Sequence, residues 1–438
     1  MKKVLSLLLS AVMIISLAGC SALSLEPEDI LSLPNASGDE SEIISLISSS
    51  YSSYEPVYPL SGENKNAVII GDIDQDDLRE AVAIFRKPDD PGSITLLFAR
   101  EQNGRFVSMG ESVIQTNLID RVDFVDIDSD QTEEILIGYQ GASSALRSVA
   151  IYEIGDEITV TDVPSVYNAL IYDDFNADGN IEALCIRLSN DSDISKACLM
   201  GYDEALGLSE LSSCEIDSDT ASVKNLISGG ISEGIHGAVL DCETEDGIIS
   251  TQVFYYYEQQ KTLLNPLFVY GGYSDTKRSV PILSADIDSD GVIEIPEIGL
   301  MPHLDDEKDE TVCSMISWQN YDFSMMALSE KSSAILCPDP VFTLAIDGAK
   351  EGRVTARYEK DERTARVYEW ESSDGKGHIG NELFYIRAYS KAEYNKDRIN
   401  EVILCEMNED IYTYLIEDAD SLLSFSGEEI ENNFALIK

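Results

Sequence analysis

A nine-residue pattern, D-x-[DN]-x-D-x-x-x-E, occurs four times in this chain, at Asp72 to Glu80, Asp126 to Glu134, Asp174 to Glu182 and Asp286 to Glu294. Apolar runs flank the copies; around the first they are Ala67-Val68-Ile69-Ile70 and Ala81-Val82-Ala83-Ile84-Phe85. Runs of this length and branched composition read as buried strands, so the unit is strand, acidic loop, strand. Carboxylates at alternate positions, followed by a further acid two residues beyond a backbone carbonyl, are how a short loop wraps a hard cation, and calcium is the ion expected. Without a cation, so many carboxylates within nine residues repel one another.

The first positions are 54 residues apart (72 to 126), then 48 (126 to 174), then 112 (174 to 286). The last gap is about twice the others and predicts a hidden copy. Val223-Lys224-Asn225-Leu226-Ile227 and Ala238-Val239-Leu240 fit its strands, while Gly229, Ile231 and Gly237 stand where acids belong, with Glu233 and Gly234 as relics of the loop. Five repeats are therefore expected, four of them competent for a cation. A period near 50 with four short strands per unit is the signature of propeller blades, because one such sheet must cover its faces with its neighbours. In the first unit the strands are expected near 66–72, 80–86, 94–100 and 105–109, with Asn103-Gly104 as a hairpin turn.

The acidic loops and their strands resemble bacterial FG-GAP and VCBS-type repeats, whose blades are similar to those of the integrin alpha-chain propeller. The resemblance covers roughly residues 66 to 330. It implies up to four calcium sites in the loops that join the first two strands of a blade. Side-chain ligands are implied at Asp72, Asp74, Asp76 and Glu80; at Asp126, Asp128, Asp130 and Glu134; at Asp174, Asn176, Asp178 and Glu182; and at Asp286, Asp288, Asp290 and Glu294. The backbone carbonyls of Leu78, Thr132, Asn180 and Val292 are implied to complete the sites.

The sixth loop position favours a positive φ and hence Gly. Gly179 and Gly291 meet this, Asp77 is tolerable and Gln131 is poor, which ranks the second loop weakest. Asp286 to Glu297 also fits a twelve-residue EF-hand loop, with Glu297 in the bidentate place. Its flanks, Ser279 to Leu283 and Ile295-Pro296, are poor helices, and the other loops carry Ala83, Ile137 and Cys185 at the twelfth position. Strands are therefore expected around it.

Lys2-Lys3, an apolar stretch from Val4 to Leu17 and Leu17-Ala18-Gly19-Cys20 resemble a bacterial lipoprotein signal. The resemblance implies export, loss of residues 1–19, and membrane attachment through lipid on Cys20. The stretch is short for a membrane span. A formal charge of −51 argues against nucleic acid and anionic lipid as partners. The other seven cysteines lack a C-x-x-C spacing or a regular framework, so buried free thiols are expected, with a Cys185 to Cys198 bridge as the alternative.

The expected organisation is a signal over 1–19, a lipidated Cys20 and tether to 60, a mainly β propeller region over 61–335, and at 336–438 an α+β module or divergent closing blades. A short helix is expected at Ile43 to Ile47, with Tyr51, Tyr54 and Tyr58 packing on the first blade. In the last hundred residues, strands are expected at 342–346, 354–358, 364–370, 382–389, 402–406 and 411–416, with a helix at 391–399. His236, His303 and His378 have no partners at metal-ligand spacing, and no nucleophile elbow, phosphate loop or zinc-protease motif occurs. The expectation is a lipid-anchored, extracytoplasmic calcium protein that binds a protein or glycan or adheres at the cell surface, without catalytic residues. The alternative is an exported hydrolase acting on polysaccharide through a pair of acids.

Overall fold

A computed structural model describes residues 38–437 apart from 142–145, 156, 189–193, 204–206, 269–275, 306–310, 339–340, 374–375 and 395–399. The expected signal and Cys20 lie outside the described residues, as does the 395–399 part of the expected helix. The described chain is mainly β, with six antiparallel sheets of four or five strands following one another along the sequence. This is a propeller-type succession of blades.

Two compact units are formed: one from the described residues up to Tyr58 with Asn66–Ile114, the other from Pro59–Lys65 with Gln115 onward. In the first, the strands Val68–Gly71, Glu80–Lys87, Asp90–Gln102 and Arg105–Ile114 pair in order, and the short Glu55–Pro56 strand pairs with Phe85 and Arg86 on the edge of Glu80–Lys87 that Val68–Gly71 also uses. Asn103 and Gly104 have φ of 53° and 73°, the left-handed pair that a two-residue hairpin needs. A helix at Gly38–Ser50 buries Ile43 and Ile47, one turn apart on one face, against Phe85, Leu97 and Phe106. Tyr51 and Tyr54 pack on Phe85 at centroid distances of 5.4 and 5.7 Å. Tyr58 does not follow them; it is 55% exposed.

In the second unit the sheets stack face to face in chain order. One face of the sheet Ala169–Asp173, Glu182–Arg187, Lys196–Asp203 and Gly207–Glu215 presents Cys185, Cys198 and Met200 to Leu136, Val149 and Tyr167 of the preceding sheet. The other face presents Leu184, Ile186 and Leu199 to Ala238, Leu240 and Phe254 of the next. The two-residue alternation along each strand thus buries both faces, and each fully buried Leu, Ile or Phe contributes roughly 1.5–3 kcal/mol. Cys185 and Cys198 are cross-strand partners with free thiols.

The hidden repeat is a sheet of Ser222–Ser232, Ile235–Glu243, Ile249–Tyr257 and Thr262–Leu264. Gly229 to Gly237 corrects the expectation of a relic loop: it is a paired hairpin, Gly229 opposite Gly237, turning at Glu233-Gly234. Its glycines answer to close approach. A Cβ on Gly237 would lie 2.2 Å from the Phe254 carbonyl oxygen, and one on Gly230 would lie 2.7 Å from that of Gly291.

The fourth acidic loop is entered without a regular strand. Ahead of it Arg278 pairs with Ile249 and Ala285 with Glu294 as isolated bridges, and Pro281 between them has no amide hydrogen to offer a ladder. Its sheet consists of Ile295–Leu300, Ser314–Asp322, Ala327–Pro338 and Val341–Ile346, completed by Phe434–Leu436 from the end of the chain. The six late runs are strands, and all but the first lie in a last sheet spanning Val354 to Ile416. Lys391 to Glu393 form a turn; the late helix is instead Gly427–Asn433, held by a reciprocal capping box between Ser426 and Glu429.

Candidate metal sites

The four loops are nearly congruent. In each, the first aspartate accepts from two backbone N–H groups ahead of it: Asp72 from Asp76 and Asp77 at 3.2 Å each, Asp126 from Asp130 and Gln131 at 3.1 Å each. Asp174 accepts from Asp178 and Gly179 at 3.2 and 3.0 Å, and Asp286 from Asp290 and Gly291 at 3.1 and 2.9 Å. The fifth residue accepts from the seventh, as Asp76 does from Leu78 and Asp130 from Thr132, both at 2.8 Å. The same bond joins Asp178 to Asn180 at 2.9 Å and Asp290 to Val292 at 2.8 Å. The final glutamate reaches back under the loop to accept from the second residue's N–H: Glu80 from Ile73, Glu134 from Ile127, Glu182 from Phe175 and Glu294 from Ile287, all at 3.0–3.1 Å.

Two residues per loop adopt positive φ. At the sixth position Asp77, Gln131, Gly179 and Gly291 have 65°, 77°, 90° and 85°. The fourth position does the same through Gln75, Ser129, Ala177 and Ser289, at 55–63°. None of these is Gly, so sequence reasoning missed that turn.

Carboxylate oxygens lie within 4.8 Å of one another in four sets: Asp72, Asp74 and Glu80; Asp126, Asp128 and Glu134; Asp174, Asp178 and Glu182; and Asp286, Asp288 and Asp290. Each set can hold a metal ion. Asp76, Asp130 and Glu294 fall outside them. Asn176 is turned to its neighbours, accepting from Asp178 N–H at 2.8 Å and donating to Glu182 at 2.7 Å. The four glutamates are buried, at 0–3% exposure. Glu297 lies in the Ile295–Leu300 strand and accepts from Gln319, away from the bidentate EF-hand place.

The loops differ in what already neutralises them. Arg100, the cross-strand partner of Glu80, donates to Glu80 at 2.7 Å and to Asp74 at 2.9 Å. Lys331 places its Nζ 2.9 Å from Asp288, 2.6 Å from Asp290 and 2.8 Å from Glu294. Among the described residues, no Lys or Arg pairs with the carboxylates of the second or third loop. There burial pushes the final glutamates up, with the loop aspartates adding repulsion: Glu134 to about 8 and Glu182 to about 7. Burial also raises Asp74, whose Oδ1 is buried without a hydrogen-bond partner. Orphaned and uncompensated carboxylate oxygens of this kind fit a hard divalent cation.

A cavity of about 350 Å³ opens between the second and third loops, lined by Asp128, Asn176, Asp178, Glu182, Tyr202 and Tyr256 among others. His236 sits in a strand with its side chain partly exposed and meets Asp173, one residue before the third loop, at 3.0 Å. In the hidden repeat, fully buried Asp241 and Arg278 pair at 2.8 Å. Thr251, Ser284 and the Ile282 carbonyl satisfy the pair's remaining groups.

No protein-family model matches the chain, and no curated protein matches it in sequence. Among solved structures, a protein from Lactobacillus plantarum is similar at 12% identity, over 74% of this chain and 86% of that one, with a TM-score of 0.28. The exotype rhamnogalacturonan lyase YesX is similar at 8% identity, over 75% and 84%, with a TM-score of 0.29. Likeness this distant carries no chemistry across.

Proposed function

We propose that this chain is a calcium-binding propeller-type protein of the FG-GAP/VCBS kind, anchored outside the cytoplasm through lipid on Cys20, that binds a protein or glycan without catalysis. The observation that carries the metal reading is the uncompensated, buried Glu134 under a loop congruent with three others. Asp126, Asp128 and Glu134, whose oxygens converge, would hold the ion in that loop, with Asp130 and the Thr132 carbonyl turning in to complete the shell. The equivalent sets from Asp72 to Glu80, Asp174 to Glu182 and Asp286 to Glu294 are the corresponding candidates. Bound calcium supplies the positive charge that lets these glutamates stay ionised. The cavity between the second and third loops, with Tyr202 and Tyr256 on its wall, favours a ligand that meets polar loop groups and an aromatic surface together.

The test is capture of envelope material by the full chain, with calcium or with chelator. Chelator-sensitive capture that is weakened by Tyr256→Ala supports the reading; capture indifferent to both contradicts it. Cys20→Ala tests the anchor: the variant is expected to leave the membrane fraction, and a processed variant that stays there refutes lipid attachment.

A further inference from the structure

We propose that Lys331 is a tethered cation that takes the place of calcium in the fourth acidic loop, leaving the second and third loops as the ones that need the ion. This assignment rests on the calcium reading of the loops and changes which of them bind.

Its ammonium touches three carboxylates of one loop at 2.6–2.9 Å. Three of the four acceptor positions of Glu294 are taken: Oε1 accepts from Lys331 and from Asn320 at 3.0 Å, and Oε2 from the Ile287 N–H. The backbone explains the aim. Trp318 pairs with Ser332 and Gln319 with Glu330, so Lys331 is the extra residue of a β-bulge. Such an insertion bends the strand and re-aims a side chain.

The other loops show what its absence means. One step beyond the printed pairs Ile135 with Tyr152 and Ala183 with Met200, the strand neighbours of Glu134 and Glu182 are Glu153 and Gly201. Neither supplies a positive charge. In the first loop Arg100 meets two carboxylates and leaves Asp74 Oδ1 without a partner, so that loop is intermediate. A calcium ion entering the fourth loop must displace an ammonium held by its own chain, whose effective concentration is millimolar or more. Extracellular calcium modules bind with Kd of roughly 10⁻⁴–10⁻³ M. The tether therefore raises the apparent Kd of the fourth loop above that range.

Calcium titration of the full chain, counting bound ions up to 5 mM (a working ceiling of about the weakest such Kd several-fold), tests the assignment. Lys331→Met is expected to bind one more ion than the parent. Asp288→Asn is expected to leave the parental count unchanged, and Asp128→Asn to lower it by one. The proposal is overturned if folded Lys331→Met gains no ion or if Asp288→Asn loses one. Should Lys331→Met fail to fold, the contrast between Asp288→Asn and Asp128→Asn decides alone. A parent and variants that all bind no calcium defeat the calcium reading itself, a result distinct from four ions bound by the parent, which defeats only the tether.

Discussion

Replacing Glu134 by Gln should stabilise the calcium-free protein at pH 8 while removing much of its response to calcium. Glu134 is 3% exposed, and its carboxyl is raised from 4.5 to about 8, first by burial and then by Asp128, Asp130 and Asp126. A carboxyl raised on folding contributes its stability in the protonated form: the contribution is complete below pH 4.5 and is lost as pH rises through about 8. At about 1.4 kcal/mol per pH unit the ceiling is on the order of 5 kcal/mol. Because the loop above it is open to water, screening brings the expected effect to roughly 2 kcal/mol. Gln keeps a carbonyl oxygen for the Ile127 N–H, which Glu134 now accepts at 3.0 Å, and carries no charge. Urea unfolding in chelator at pH 5 and pH 8 is the assay. The parent should lose stability relative to Glu134→Gln across that interval, and millimolar calcium should restore the parent more than the variant. Parallel pH profiles, or a Gln variant that is less stable than the parent at pH 8 in chelator, would refute the reasoning.

Three further expectations follow from the geometry. Asp241→Ala leaves Arg278 charged and fully buried, which should cost about 3–5 kcal/mol in chemical denaturation; a loss below about 1 kcal/mol would contradict the observed network. Gln131→Gly relieves a φ of 77° on a residue with a Cβ and should raise stability by roughly 1 kcal/mol in chelator, whereas a destabilised variant would mean that the Gln side chain matters more than its backbone. Gly237→Ala drives a methyl into the Phe254 carbonyl and should cost at least about 1–3 kcal/mol; an unchanged melting curve would show that the hidden repeat is not packed as described.

What was legible in the sequence was local and periodic. The loops, most of their flanking strands, the Asn103-Gly104 turn and the concealed repeat rest on residues a few positions apart, and the structure places them as strands and turns in the expected order, except that the fourth loop is entered without a strand and the Gly229 to Gly237 segment is a hairpin. What escaped was set by distance or by backbone shape. Arg100 and Lys331 lie 20 and 37 residues beyond the glutamates they neutralise, and Lys331 arrives through a bulge that no pattern announces. Ranking loops by Gly at the sixth position missed this, because Asp77 and Gln131 adopt the same left-handed turn as Gly179 and Gly291. The glycines of the hidden repeat look like relics of a loop in sequence; in space they make room for a neighbouring carbonyl. The late helix carries a readable signal in Ser426 and Glu429, three apart.

The most direct measurement is the melting of the full chain in chelator and in 2 mM calcium, an external concentration of about the upper Kd of such modules, with calcium uptake measured in parallel. Each independent site at that concentration should add roughly 0.6–1.8 kcal/mol, so the transition should move upward by several degrees as ions are taken up. Identical melting curves with no calcium uptake at millimolar concentration would contradict the account, leaving the four loops as acidic turns.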